Sequence, residues 1–154
     1  MTTLVDSNVI LDVVTEDAEW GDWSSSMLAN AAQQGRLVIN PLIYAEVACG
    51  FDRIEGLDEA LPPQYFTREP VPWAAAFLAG RAFLAYRRKG GSRQAPLPDF
   101  FIGAHAAVAG YTLLTRDRRG YKTLLSKAEA DRALTRVGRF PGPPREDGPA
   151  QVFI

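Results

Sequence analysis

The sequence has few of the residues that cross-link a fold or act as nucleophiles and bases. Among 154 residues there is one cysteine, Cys49, and one histidine, His105. A single cysteine excludes an internal disulfide, which is compatible with a reducing cytoplasm. We therefore expect a cytoplasmic protein in which Cys49 is a small residue of the core rather than a nucleophile.

An excess of charge of one sign and long apolar runs are also missing. The 17 basic and 18 acidic residues leave a formal net charge of -1, so there is no global signal for a polyanion partner. No apolar run approaches the length of a membrane-spanning helix, and no charged-then-apolar segment opens the chain. The hydrophobic content of 47% is ordinary for a globular protein, and the length suits one domain.

Short apolar runs alternate with helical patterns along the chain. The runs at 4–5, 37–39 and 111–114 are predicted to be buried strands, with helices between them. This alternation predicts an α/β fold with a parallel sheet between layers of helices. We place the domain at residues 1–125 and a charged, Pro/Gly-rich extension at 126–154, where residues 152–154 are a candidate edge strand.

The first strand runs directly into a helix, with Asp6 at the junction. Asn8 is the predicted cap of a helix beginning at Val9. In open α/β sheets, ligands bind at the carboxyl ends of the strands. Asp6 is therefore either a helix cap or a functional carboxylate, and this stretch alone leaves both readings open.

Four acidic residues have unusual contexts. Asp6 and Asp117 each follow a predicted buried strand, and Asp99 stands at a helix start. Glu46 lies in an otherwise apolar helix, where an unpaired charge is costly. A cap role for Asp99 and a turn role for Asp117 are the alternatives. Clustered carboxylates repel each other, whereas Mg²⁺ removes the repulsion and favours phosphodiester hydrolysis by an activated water.

The stretches around these acids resemble the motifs of PIN-domain nucleases. Residues 5–11 resemble the opening motif, residues 45–47 the second acidic position, and residues 97–106 and 113–117 the third and fourth. Within that family the motifs are most similar to the VapC toxins of type II toxin–antitoxin systems, over about residues 1–124. The resemblance implies a PIN-like three-layer α/β/α sandwich with a central, mainly parallel sheet.

The resemblance also implies an activity and partners. We expect a toxin that is a Mg²⁺-dependent endoribonuclease, with Mn²⁺ as a substitute, inhibited by a VapB-type antitoxin and homodimeric. The residues implied as metal ligands and catalytic acids are Asp6, Glu46, Asp99 and Asp117. The residues implied to support them are Ser7, Asn8 and Thr115, of which the Thr115 hydroxyl orients an acid.

Basic residues flank the proposed acidic site. They lie before the loop that leads to Asp99 and next to Asp117, at positions Arg87, Arg88, Arg93 and Arg116. Because an acidic site repels a polyanion, we interpret these residues as contacts to RNA phosphates. A solvated basic face is the alternative.

Two further positions carry expectations. The apolar surface at 9–14, together with Met27 and Leu28, is a candidate groove for an antitoxin helix, with a core role as the alternative. His105 lies six residues past Asp99, about 120° around a helix from it, so we expect a packing or surface role rather than catalysis.

Two other functions fit parts of the sequence. One is an aspartyl phosphatase with Asp6 as the nucleophile, although Asn8 stands where such sites commonly have a second acid. The other is a non-catalytic protein-binding module whose acids are helix caps.

Overall fold

The computed structural model describes residues 1–92, 97–117 and 121, and the backbone of 152–153. The strands are β1 Thr2–Val5, β2 Arg36–Ile39, β3 Phe66–Arg68, β4 Thr112–Thr115 and β5 Val152–Phe153. The helices are α1 Ser7–Val14, α2 Gly21–Gln34, α3 Pro41–Ala48, α4 Ile54–Ala60, α5 Trp73–Arg88 and α6 Pro98–Ala109.

The strands form one sheet in the order β3-β2-β1-β4-β5. The first four are parallel, and β5 pairs antiparallel with β4. Because crossovers between parallel strands are right-handed, α1–α4 cover one face and the return connection places α5 and α6 on the other. The predicted three-layer α/β/α fold with a mainly parallel sheet is confirmed.

Three of the predicted strands coincide with β1, β2 and β4, and the candidate edge strand is β5. We did not predict β3, because its three residues stand next to a proline-rich stretch that masks a strand pattern. Residues 122–151 lie outside the described residues, so the division at residue 125 stays a prediction. No helix in the described ranges is long and apolar enough to span a bilayer.

The strand register places four polar residues in one row. At the carboxyl ends of the parallel strands, Val5 pairs with Leu114 and Ile39 with Arg68, while Leu4 pairs with Val38. The next residues form what we call the carboxyl-edge row, in the order Thr115, Asp6, Asn40, Glu69. Neighbouring strands lie about 5 Å apart, so Asn40 is one strand and Glu69 two strands from Asp6.

Helix starts place polar side chains along this edge. Asn40 caps α3, since its Oδ1 accepts hydrogen bonds from the backbone N–H groups of Leu42 and Ile43 at 3.0 Å. Asp6 is the N-cap of α1. The prediction that Asn8 caps this helix is therefore wrong: α1 begins two residues earlier, which frees the Asn8 side chain to reach β4.

The core contradicts two further expectations. Val9, Ile10 and Met27 are at most 5% exposed, because α1 and α2 pack these side chains into the main core. They cannot form a surface groove, so this part of the predicted antitoxin surface is wrong. Cys49 is exposed rather than buried, because it follows α3 as its C-cap residue on the solvent side.

Candidate active site

Four acidic side chains approach one another at the carboxyl edge of the sheet. Asp6 follows β1, Glu46 lies in α3, Asp99 is in the first turn of α6, and Asp117 lies two residues past β4. The charges of Asp99 and Glu46 act on Asp6, and those of Glu46 and Asp117 act on Asp99. The sheet thus brings together acids that are up to 111 residues apart in the sequence.

Asp6 is the most buried of the four, with 3% of its surface exposed. Its Oδ1 accepts a hydrogen bond from Ser7 N–H at 2.9 Å, and its Oδ2 accepts one from Thr115 Oγ1 at 2.7 Å. Burial raises the pKa of Asp6 from 3.8 to about 6; the charges of Asp99 and Glu46 add to the rise, while the hydrogen bond from Thr115 opposes it. The site therefore holds a carboxylate whose negative charge is poorly compensated.

The three residues predicted to support the acids contact them. Thr115 Oγ1 accepts the backbone N–H of Asp117 at 3.0 Å while donating to Asp6, so one hydroxyl connects two acidic segments. Asn8 Nδ2 donates to Asp6 Oδ2 at 2.7 Å, and Ser7 Oγ donates to Glu46 Oε2 at 2.6 Å. These contacts orient carboxylates, as expected of groups that surround a functional site.

Asp99 occupies the first turn of α6 but is not its cap. The N-cap residue is Leu97, so the cap explanation for Asp99 is wrong and its carboxylate faces the other acids. Burial, followed by the charges of Glu46 and Asp117, raises the pKa of Asp99.

Tyr121 is a site residue that sequence reasoning did not assign. It is 1% exposed, and its hydroxyl lies within hydrogen-bonding reach of the Asp6 and Asp99 carboxylates. Burial, and then the carboxylates of Asp6 and Asp99, hold the pKa of this hydroxyl well above its usual range. The group therefore stays protonated and places an O–H donor beside the acids. Its position four residues after Asp117 was the available signal.

The donor set fits a hard divalent cation. Carboxylate oxygens are the ligands that Mg²⁺ prefers, and because burial and neighbouring carboxylates raise the pKa values of Asp6 and Asp99, a cation at this place would favour their ionised forms. Within the described ranges, no three acidic, histidine or cysteine side chains are arranged to ligate one ion. Mg²⁺ usually takes only one or two carboxylates, with waters and substrate phosphates completing its shell. The ligand roles of the four acids stay a prediction.

A second charged cluster holds the segment that carries Asp117. We call it the Arg116 clamp, and it consists of Asp12, Ser24, Trp20 and Arg116. Arg116 Nη1 lies 3.2 Å from Asp12 Oδ1, and its guanidinium stacks 5.4 Å from the centre of the Trp20 ring. Arg116 N–H also donates to Asn8 Oδ1 at 3.1 Å. Sequence reasoning missed this pair, although an acid among the apolar residues of α1 indicated a buried partner.

Removing the arginine of this clamp is expected to destabilise the protein. The Arg116→Ala variant leaves the Asp12 carboxylate, 4% exposed, with Ser24 Oγ as its remaining partner, and we expect a loss of about 2 kcal/mol in the free energy of unfolding. Because burial raises the pKa of Asp12, the loss should shrink at low pH, where that group is protonated in the variant. Urea unfolding at two pH values measures it. Arg81→Ala, on an exposed face of α5, is the control; an equal effect in both variants would contradict the clamp.

The predicted phosphate-binding arginines have different surroundings. The side chain of Arg116 is only 33% exposed and is committed to the clamp. Arg87 and Arg88 are exposed in the last turn of α5, where Arg87 Nη1 contacts Gly91 O at 3.4 Å. Arg93 lies outside the described residues. RNA binding by these residues stays a prediction.

Of the packing and surface roles expected for His105, the structure shows packing. The ring is 1% exposed, its Nδ1 lies 3.2 Å from Asn40 Nδ2, and its Nε2 lies 4.0 Å from Glu69 Oε2. Burial lowers the pKa of His105, and the charge of Glu69 opposes this. The neutral ring therefore supports Asn40 beneath the carboxyl edge.

The structure is thus an open α/β sheet that gathers carboxylates at its carboxyl edge. The family model for the PIN domain matches residues 3–124, and the chain belongs to the PIN domain family. Members of this family are generally nucleases that depend on a divalent metal. The resemblance of the acidic motifs to those of PIN-domain nucleases is thereby confirmed.

Solved structures with the same fold agree with this assignment. VapBC2 of Rickettsia felis, bound to a DNA fragment from its promoter, matches with 17% identity and a TM-score of 0.64, over 81% of this chain and 96% of that one. VapBC-1 of nontypeable Haemophilus influenzae matches with 20% identity and a TM-score of 0.62, over 80% and 92%. FitAcB of Neisseria gonorrhoeae matches with 17% and 0.58, over 79% and 92%. A comparison with curated proteins found no significant match.

Proposed function

We propose that the protein is an endoribonuclease that hydrolyses RNA phosphodiester bonds with the help of Mg²⁺ or Mn²⁺. The observation that carries the proposal is the convergence of Asp6, Glu46, Asp99 and Asp117 at one sheet edge, with burial and mutual repulsion raising the pKa values of Asp6 and Asp99. Such a cluster is unfavourable for a purely structural purpose, since each buried ionised carboxylate destabilises the fold. A catalytic role in RNA cleavage would give the cluster a function, and it agrees with the membership of the chain in the PIN domain family.

The residues of the cluster have separable roles in this proposal. A bound divalent ion would neutralise the phosphodiester and make a water more acidic. Asp6 and Asp99 would hold the ion, with Glu46 and Asp117 acting directly or through water. Thr115 and Asn8 fix the Asp6 carboxylate through hydrogen bonds of 2.7 Å, so it needs no reorganisation when the substrate arrives. The protonated Tyr121 hydroxyl can donate a hydrogen bond into the site.

We further propose that the protein acts as the toxin of a type II toxin–antitoxin system. The support is its PIN domain and its structural likeness to the VapBC and FitAcB proteins. A VapB-type antitoxin, a homodimeric state and a cytoplasmic location belong to the same proposal. The part of the antitoxin surface assigned to Val9, Ile10 and Met27 is excluded, since these residues are core.

The aspartyl-phosphatase alternative is less well supported. Both oxygens of Asp6 already accept hydrogen bonds, and 3% exposure leaves little room for an in-line attack on phosphorus. Asn8 uses its amide to hold Asp6 and cannot replace a catalytic acid. Trapping a phosphorylated Asp6 would nevertheless restore that function.

Mapping of cleavage sites across total cellular RNA tests the proposed function. Wild-type protein with Mg²⁺ is expected to produce discrete new ends carrying 5′-phosphates, and chelation of the metal should abolish them. The Asp6→Asn variant is the control, since it keeps the shape of the side chain and removes the charge. Equal cleavage by Asp6→Asn, or cleavage that survives chelation, would contradict the proposal.

A further inference from the structure

A pocket of about 310 Å³ opens at the carboxyl ends of β2 and β3. We call it the edge pocket, and its lining includes Asn40, Pro41, Tyr44, Arg68, Glu69 and Pro70. The carboxyl edge of an open α/β sheet is where such folds bind ligands. The pocket therefore has the position of a binding site, although it is formed by residues outside the acidic cluster.

The register of the sheet places the edge pocket beside the acids. Asn40 and Glu69 continue the carboxyl-edge row by one and two strands beyond Asp6, which corresponds to roughly 5 and 10 Å. Helix α3 separates the two sites: Glu46 and Tyr44 are two residues apart, so they point about 160° away from each other around its axis. A chain that crosses the end of α3 can contact both sites.

The charges that line the edge pocket are already compensated. Arg68 Nη2 lies 2.6 Å from Asp58 Oδ1, and its guanidinium stacks 4.9 Å from the centre of the Tyr44 ring. Glu69 Oε1 pairs with Arg36 Nη2 at 2.9 Å, and its Oε2 accepts a hydrogen bond from the Tyr111 hydroxyl at 2.9 Å. With each charge paired, the pocket offers no net positive charge for a phosphate. It favours an uncharged ligand.

The chemistry of the lining suits a planar heterocycle. Pro41, Pro70 and the stacked pair of Tyr44 and Arg68 supply apolar and planar surface for the faces of a ring. Arg68 Nη2 donates to Asp58 Oδ1 and to the Leu61 carbonyl, which leaves the Nε and Nη1 donors, and each Glu69 oxygen retains a lone pair, so both donors and acceptors are present for a polar ring edge. An aliphatic side chain would leave these polar groups unmatched.

We propose that the edge pocket binds one unpaired nucleobase of the RNA, next to the phosphodiester that lies over the acids. The inference rests on the proposed function and adds a specificity site to it. RNA is commonly recognised through splayed, single-stranded bases that stack on aromatic or guanidinium planes. Asn40 does not move when the base enters, because α3 and His105 hold its amide.

Binding of short single-stranded RNAs to the cleavage-impaired Asp99→Asn protein tests this assignment. A series in which one base at a time is replaced by an abasic site should show one position where affinity falls about tenfold. Pro41→Phe, which fills the pocket from an exposed position, should weaken binding of the intact RNA similarly and remove that sensitivity. In the active protein, the same change should raise KM and leave kcat nearly unchanged.

Matched variants separate the pocket from general effects. Pro63→Phe adds the same side chain at an exposed proline outside the pocket, and it should bind as the parent does. Tyr44→Leu, compared with Tyr65→Leu at a residue that is 69% exposed, repeats the test should Pro41→Phe fail to fold. A flat abasic series, or pocket variants that bind like their controls, would overturn the assignment.

The two levels of the proposal fail in different ways. A wild-type protein that cleaves RNA while the abasic series stays flat refutes the pocket assignment alone. A protein that neither binds the short RNAs nor cleaves cellular RNA refutes the proposed function, and the pocket assignment with it.

Discussion

The Asp99→Asn variant is expected to lose RNA cleavage by about a thousandfold while its melting temperature stays the same or rises. The loss follows because the amide removes a negative charge from the position where Glu46, Asp117 and Asp99 approach one another. Stability should not fall because burial and these charges raise the pKa of Asp99, so its ionised form is disfavoured in the folded protein. Cleavage assays and thermal unfolding at pH 7.5 measure the two effects.

A matched variant distinguishes this effect from the ordinary effect of an acid at a helix start. Asp22 also lies in a first turn, that of α2, but it is exposed. Asp22→Asn should keep full activity and lose a few tenths of a kcal/mol through its weaker interaction with the helix dipole. An Asp99→Asn protein that still cleaves at the wild-type rate would remove Asp99 from the mechanism.

The metal-free protein is expected to lose stability, relative to Asp6→Asn, as the pH rises from about 4 to above 6. The folded-state pKa of Asp6 is about 6, whereas the unfolded value is near 3.8, so between them the folded protein binds more protons than the unfolded chain. Stability therefore falls with rising pH through this window, by up to about 3 kcal/mol. Paired urea titrations across the pH range isolate the contribution of Asp6, because the groups common to both proteins largely cancel.

Added Mg²⁺ should reverse this penalty in the wild-type protein. An ion that binds only the folded state stabilises it, and a cation near Asp6 favours the ionised carboxylate. We expect a clear rise in the melting temperature of wild type at pH 7.5 and a much smaller rise in Asp6→Asn. The same rise in both proteins would show that Asp6 is not involved with the ion. A pH-independent difference between them without metal would show that the pKa of Asp6 is not raised in the folded protein.

At the sheet edge, the arrangement of acids that favours activity lowers stability. Asp6, Glu46 and Asp99 repel one another, and Asp6 and Asp99 are also partly or largely removed from water. Neutral substitutions should relieve this cost and abolish activity together. Acids placed for structural reasons would behave in the opposite way, since removing a cap or an ion pair lowers stability.

The positions of the acids were predictable because the signals are local. An apolar run followed by Asp6, or by Thr115 and Asp117, already specifies a strand end, and parallel strand ends lie at one edge of a sheet. The Asn40-Pro41 pair likewise specifies the start of α3, as the structure confirms. The row of polar residues at this edge follows from those strand ends once the pairing is known.

The sequence by itself determined the α/β class, the edge at which the acids meet, and the motifs that indicate a PIN domain, because strand ends and helix caps depend on adjacent residues. Only the tertiary structure decided that Arg116 pairs with Asp12, that Tyr121 lies against Asp6 and Asp99, and that a pocket opens beside Tyr44. These contacts join residues from separate elements, so no local pattern specifies them. Their geometry depends on how the helices pack across the sheet.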